Sequence, residues 1–170
     1  MNKIVQHIWN KIRSENTEEL TPIFDNETPI RTTSKVLPWY TSKPCESVKK
    51  SHISHCVYDS TWEATEAFIL EKSKFVDSFV KNDHLGFIIL YNYNGVIRKF
   101  YPDFIIRLID GSHLVLEVKG QDNLHNKTKR EFLSQWVKAL NNHGGFGRWH
   151  CNVSFNPGDL EDILKNTINN

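Results

Sequence analysis

The stretch from Asp103 to Lys119 constrains the fold more than any other part of the chain. Phe104, Ile106 and Leu108 alternate with Asp103, Ile105 and Arg107; after a turn, Leu114, Leu116 and Val118 alternate with Val115, Glu117 and Lys119. Successive side chains of a strand point to opposite faces, so each segment reads as a strand with one apolar face. A three-residue loop, Asp110-Gly111-Ser112, sets Leu108 against Leu114, Ile106 against Leu116 and Phe104 against Val118. The same register puts Asp103 opposite Lys119 and Ile105 opposite Glu117. A slip of one residue would turn every side chain to the wrong face. The apolar pattern therefore gathers Asp103, Glu117 and Lys119 on one side of a hairpin.

Strands about 4.8 Å apart, with alternate residues about 6.7 Å apart, let two such carboxylates reach one cation. Magnesium prefers hard oxygen ligands and keeps waters that a phosphate can replace. A lysine beside it can orient a water or stabilise charge developing on phosphorus. Spacing alone is met equally by an exposed Asp103–Lys119 ion pair beside a solvated Glu117, which would contribute little.

The rest of the pattern predicts an α/β domain. Ile4, Val5, Ile8, Trp9 and Ile12 have helical spacing within residues 1–20. Residues 21–50, broken by Pro22, Pro29, Pro38 and Pro44, read as an irregular arm whose hydrophobics, Ile23, Phe24, Val36, Leu37, Trp39 and Tyr40, imply packing on this domain or on a partner. The boundary expected is therefore 1–50 for the helix and arm, and 51–170 for the domain. Ile53 and Val57 suggest a short strand. Ser60-Thr61-Trp62-Glu63 is a capping box that starts a helix running to about Lys74. A strand through 86–91, the Asn94-Gly95 turn, one continuous strand from Val96 to about Ile109, and a third at 113–119 form a meander. A helix over about 127–141, a strand over 148–155 and a helix capped by Asp159 complete a central sheet with flanking helices.

A net charge of +1 over 170 residues means that nucleic-acid affinity would need a local basic patch. Three cysteines with no CxxC pair read as free thiols in a reducing cytosol. His52, His55 and Cys56 fit no paired zinc-ligand spacing. No apolar run approaches the ~20 residues that span a bilayer, and the N-terminus lacks a secretory pattern. A soluble, cytoplasmic protein is expected. No GxxxxGK[ST] loop is present.

Tyr101-Pro102-Asp103-Phe104 followed by Leu116-Glu117-Val118-Lys119-Gly120 resembles the PD-(D/E)xK nuclease signature. The flanking blocks Asp59-Ser60-Thr61-Trp62-Glu63, Val80-Lys81-Asn82, Leu85-Gly86-Phe87 and Gly147-Arg148-Trp149 narrow the likeness. They resemble the C-terminal endonuclease domain of the restriction subunit of type III restriction enzymes, over about 51–155. The resemblance implies a restriction-endonuclease-like central mixed sheet, double-stranded DNA as substrate and Mg2+ as cofactor. It implies Asp103, Glu117 and Val118 as metal ligands and Lys119 as a catalytic residue. It also implies helicase (translocase) and modification methyltransferase subunits as partners. The family's helicase motor is missing from these residues, so an excised domain, a split-gene product and a remnant that only binds or docks all stay open.

Glu63 has two readings: the capping-box carboxylate, or an acid from the first helix that joins the metal site, as the resemblance implies. Lys119, Lys127, Lys129, Arg130, Lys138 and Arg148 outnumber Asp122 and Glu131 across 119–150, so the helix there is a candidate for the DNA backbone. Lys127, Lys129 and Arg130 are its candidate contacts, with Gln121 near the site. Arg107 shares the active face by parity, as a phosphate contact or a solubilising charge.

Overall fold

The computed structural model describes residues 36–120 and 123–169. The expected helix within 1–20, most of the arm, and Gln121 lie outside the described residues. The elements in order are β1 (Cys45–Ser47), β2 (His55–Val57), α1 (Thr61–Lys72), β3 (Val76–Lys81), β4 (Ile89–Tyr93), β5 (Val96–Phe100), β6 (Phe104–Leu108), β7 (His113–Val118), α2 (Leu124–His143), β8 (Trp149–Ser154) and α3 (Leu160–Ile168). The fold is mixed α/β. Among the described residues no helix is long and apolar enough to cross a membrane.

The central sheet has the order β3-β6-β7-β8, while β4-β5 and β1-β2 form separate two-stranded ribbons. β3, β6 and β7 pair antiparallel, and β8 adds parallel to β7 through the α2 crossover. This corrects the expected meander. The single strand expected over Val96 to Ile109 breaks at Tyr101-Pro102-Asp103; β5 stays with β4, and β6 moves between β3 and β7. Pro102 causes the break, because a proline has no N–H to continue a ladder. The Asn94-Gly95 turn is present, with φ of 54° and 81°, the left-handed pair that a tight hairpin needs.

Each face of the sheet has its own core. On one, Phe104, Ile106, Leu108, Leu114 and Leu116 pack with Ala67 and Leu70 of α1 and Leu160 and Leu164 of α3. On the other, Val115 packs with Ile89, Tyr91 and Phe100 of the hairpin and Leu133 and Val137 of α2. β7 is thus buried on both sides, unlike the half-exposed strand its alternation suggests. Of the arm's hydrophobics among the described residues, Trp39 lies on His84 with ring centroids 4.5 Å apart. Leu37 and Tyr40 are exposed. β1, within the segment read as arm, pairs with β2.

Helix ends follow local chemistry. The Ser60 hydroxyl accepts from the Glu63 N–H, and Glu63 returns a bond to the N–H of Asp59. Asn123 caps α2, and Gly144, at φ 73°, ends it. Asp159 makes no side-chain cap; a 3-10 turn over Pro157–Asp159, capped by Asn156, leads into α3 instead.

Candidate active site

The β6–β7 register differs from the expected one by two residues. Phe104 pairs with Leu116 and Ile106 with Leu114, and the Leu108 N–H donates to the Ser112 carbonyl at 2.8 Å. The loop is therefore Ile109-Asp110-Gly111. Its Gly111 N–H donates to the Leu108 carbonyl at 3.0 Å, and Gly111 has a φ of 84°. This is the three-residue hairpin loop that closes on a left-handed glycine: Gly111 ends the loop, where a centre had been expected. A shift of two preserves the parity of every side chain, so the apolar faces still match. It brings Asp103 opposite Glu117, where Lys119 had been expected.

That change tightens the site. Bonded pairs at 108/112, 106/114 and 104/116 alternate with closer non-bonded ones, and Asp103/Glu117 continues the closer series. Two residues on from Phe104/Leu116, Pro102 falls opposite Val118 and has no N–H for the Val118 carbonyl. The Val118 N–H donates to Asp103 Oδ2 at 2.7 Å in place of a backbone partner. Pro102 thus ends the ladder and leaves the Val118 carbonyl without a ladder donor on the β6 side.

Burial raises the Asp103 carboxyl, against the opposing pull of the Val118 N–H. Burial, then the charge of Asp103, pushes Glu117 up to about 7. Glu117 is 3% exposed. Its Oε1 accepts from the Lys119 ammonium at 2.6 Å, while its Oε2 is buried and has no partner. Burial opposes the charge on Lys119, but the Glu117 carboxylate outweighs it and the lysine is held above its ordinary value. Lys119 is therefore a cation here and can donate, not abstract.

The first helix supplies two acids with different surroundings. Glu63 Oε2 accepts from the Asp59 N–H at 3.1 Å and lies 3.1 Å from Lys81 Nζ. Lys81, 8% exposed, also holds Asp59 at 2.9 Å and Asp83 at 3.2 Å. Lys43 makes a further ion pair with Asp59. Glu63 is thus bound into a helix start and an ion network. One turn on, Glu66 is fully buried, with neither oxygen hydrogen-bonded; the Ser154 hydroxyl points to the Asn156 carbonyl. Burial, opposed by the nearby Ser154 hydroxyl and aided by the charges of Asp103 and Glu63, pushes Glu66 up to about 7. Glu66 and Lys81 were not read from the sequence as site residues. The available signal for Glu66 was an acid set beside Ala67 and four residues before Leu70, in the stripe that faces the core.

The remaining candidates scatter. Lys129 lies over the Phe100 ring at 5.5 Å and its charge reaches Glu117. Arg130 lies over Phe155 at 5.6 Å, and Lys127 is exposed. Arg107, four residues along β6 from Asp103, is 3.8 Å from Asp77 and remote from the carboxylate pair.

The donor set suits a hard cation. Among the described residues no three His, Cys, Asp or Glu side chains converge closely enough to hold an ion by themselves. Magnesium does not require three, since one or two carboxylates with waters are its usual protein share. Asp103, Glu117 with its orphaned Oε2, and the Val118 carbonyl meet that need. No protein-family model matches the chain, and no curated protein matches it.

Proposed function

We propose that this chain is a magnesium-dependent DNA endonuclease domain with a restriction-endonuclease-like fold, similar to the cleavage module of type III restriction enzymes. One observation carries the reading. Asp103 and Glu117 fall opposite each other one step past the last paired residues of the hairpin, with a buried carboxylate oxygen left unsatisfied and Lys119 alongside. Two like charges so placed destabilise each other unless a cation lies between them.

Asp103, Glu117 and the Val118 carbonyl would hold the ion. When bound, magnesium polarises the phosphoryl oxygen and lowers the pKa of a water ligand. Lys119, kept protonated by Glu117, donates to the negative charge that grows as water attacks phosphorus and the ester oxygen leaves. Lys127, Lys129 and Arg130 of α2 neutralise backbone phosphates of double-stranded DNA. Sequence recognition and ATP-driven movement belong to partner helicase and methyltransferase subunits in this reading.

Supercoiled plasmid should be nicked or linearised with magnesium and stay intact with EDTA. Intact plasmid in both, with DNA still bound, would discard the nuclease reading and leave a docking module. Of the two helix acids, Glu66 is assigned to the site and Glu63 to helix capping and Lys81. Glu66→Gln should therefore reduce plasmid cleavage by ~10-fold or more, the larger effect, and Glu63→Gln by only a few-fold. The reverse order in a side-by-side assay would restore Glu63 to the metal site.

A further inference from the structure

The β4–β5 hairpin lies along α2 and carries its tip towards the start of that helix. Phe87, just before β4, meets Trp136 with ring centroids 5.4 Å apart; Tyr91 meets Phe132 at 6.3 Å, and Tyr93 meets His125 at 4.2 Å. β4 therefore runs antiparallel to α2, and the Asn94-Gly95 turn lies at the helix N-terminal end. The Tyr91 hydroxyl and His125 Nε2 are 2.6 Å apart, which ties ribbon and helix into one body.

Cations line the seam. Arg98 pairs across the ribbon with Tyr91, so it shares the helix-facing side with Tyr91 and Phe100, and its guanidinium lies 5.7 Å from the Tyr93 ring. Lys129 lies over Phe100 on the same side. The first turn of α2 holds no acidic residue. Among the described residues, neither Arg98 nor Lys129 takes part in an ion pair. Lys129 lies over Phe100, three residues before Asp103, so the basic seam leads towards the carboxylate pair. Aromatic rings beneath Arg98 and Lys129 fix these long side chains before any ligand arrives, which lowers the ordering cost of binding.

We propose that the β4–β5 hairpin is a second phosphate-gripping arm, with Arg98 acting beside Lys129 to hold the backbone of duplex DNA along the first turns of α2. The inference rests on the DNA-nuclease reading and extends it from the cutting site to the way the duplex is held. A polyanion suits a seam of uncompensated cations, and an elongated one suits a row that leads away from the site.

Binding of a fluorescein-labelled duplex, followed by anisotropy with calcium in place of magnesium, tests this without any cleavage. Arg98→Gln removes the guanidinium but keeps a polar side chain on the same face of the ribbon, and should weaken binding several-fold at low salt. It should also make the slope of log affinity against log salt shallower by about 0.9. Lys129→Gln should behave similarly. Lys99→Gln removes the same charge from the same ribbon but on the side away from α2, since Lys99 pairs with Leu90; it should leave affinity nearly unchanged. Equal losses for Arg98→Gln and Lys99→Gln, unchanged binding in the Arg98 variant, or no duplex binding by the wild-type protein would overturn the proposal. Arg98-dependent binding by a protein that never cuts would uphold the arm and remove the nuclease reading instead.

Discussion

Lys119→Ala is expected to lower magnesium-dependent plasmid cleavage by ~10²-fold or more, the usual cost of removing one group that stabilises developing charge, while duplex binding changes little. Lys119 touches Glu117 at 2.6 Å and pairs with no other carboxylate among the described residues, and it is half-buried at the end of β7. It has two effects there. In the proposed reaction it supplies a fixed positive charge next to the phosphate, and in the folded protein it offsets the burial cost of Glu117. Alanine loses the first and worsens the second. The variant should therefore cut poorly and also melt a little earlier when metal-free. Lys119→Arg retains the charge but changes its geometry, and should recover part of the activity. Cleavage by Lys119→Ala at the wild-type rate, measured from the disappearance of supercoiled plasmid, would remove Lys119 from the chemistry.

The hairpin that carries this residue was largely legible in the sequence, and the reason is parity. Alternation specifies which side chains share a face, and a register error of two leaves that unchanged. Alternation does not specify which residue lies opposite which. That depends on where the loop closes, and Gly111 was the clue: a left-handed glycine belongs at the end of a three-residue loop. Reading it as the centre moved Asp103 from Glu117 to Lys119. Alternation alone runs β5 and β6 together as one strand; the break lies at Pro102, the residue that cannot continue a ladder. Its second consequence, release of the Val118 carbonyl, needed the register.

The helix acids were harder to read. Ser60 and Glu63 form a capping box in sequence and in structure, yet that same bond is what occupies Glu63. Which acid of α1 is left without a hydrogen bond near Asp103 depends on how the helix is rotated on the sheet. The helix gives a weak signal for that, because Phe68 is exposed while Glu66 is buried. Lys81 illustrates the same limit. Asp83 is its close sequence neighbour, but only the packing of the α1 start, which brings Asp59 and Glu63, makes it the centre of an ion network.

Glu117→Gln separates function from stability most sharply, because the two should move in opposite directions. Loss of one carboxylate from the ion-binding pair should lower cleavage by ~10²-fold or more. The metal-free protein should become more stable at pH 8, by about 1–3 kcal/mol, since a carboxylate raised to about 7 is costly to ionise where it stands. The sign follows from linkage. A group whose folded pKa lies above its unfolded value contributes stability that is complete below the unfolded value, near 4.5, and is lost as pH rises through about 7. Glu66 obeys the same rule over the same window. Burial depresses the imidazoles of His113 and His150, which pulls the opposite way, so the measurement is the difference between the two proteins. That difference in urea-unfolding free energy should be small at pH 4 and grow towards pH 8. Magnesium should raise the stability of the wild-type protein at pH 8 and do much less for the glutamine variant, because an ion that binds only the folded state stabilises it by mass action. A wild-type protein indifferent to magnesium, or a glutamine variant no more stable than wild type at pH 8, would mean that Glu117 is not a buried carboxylate waiting for a cation.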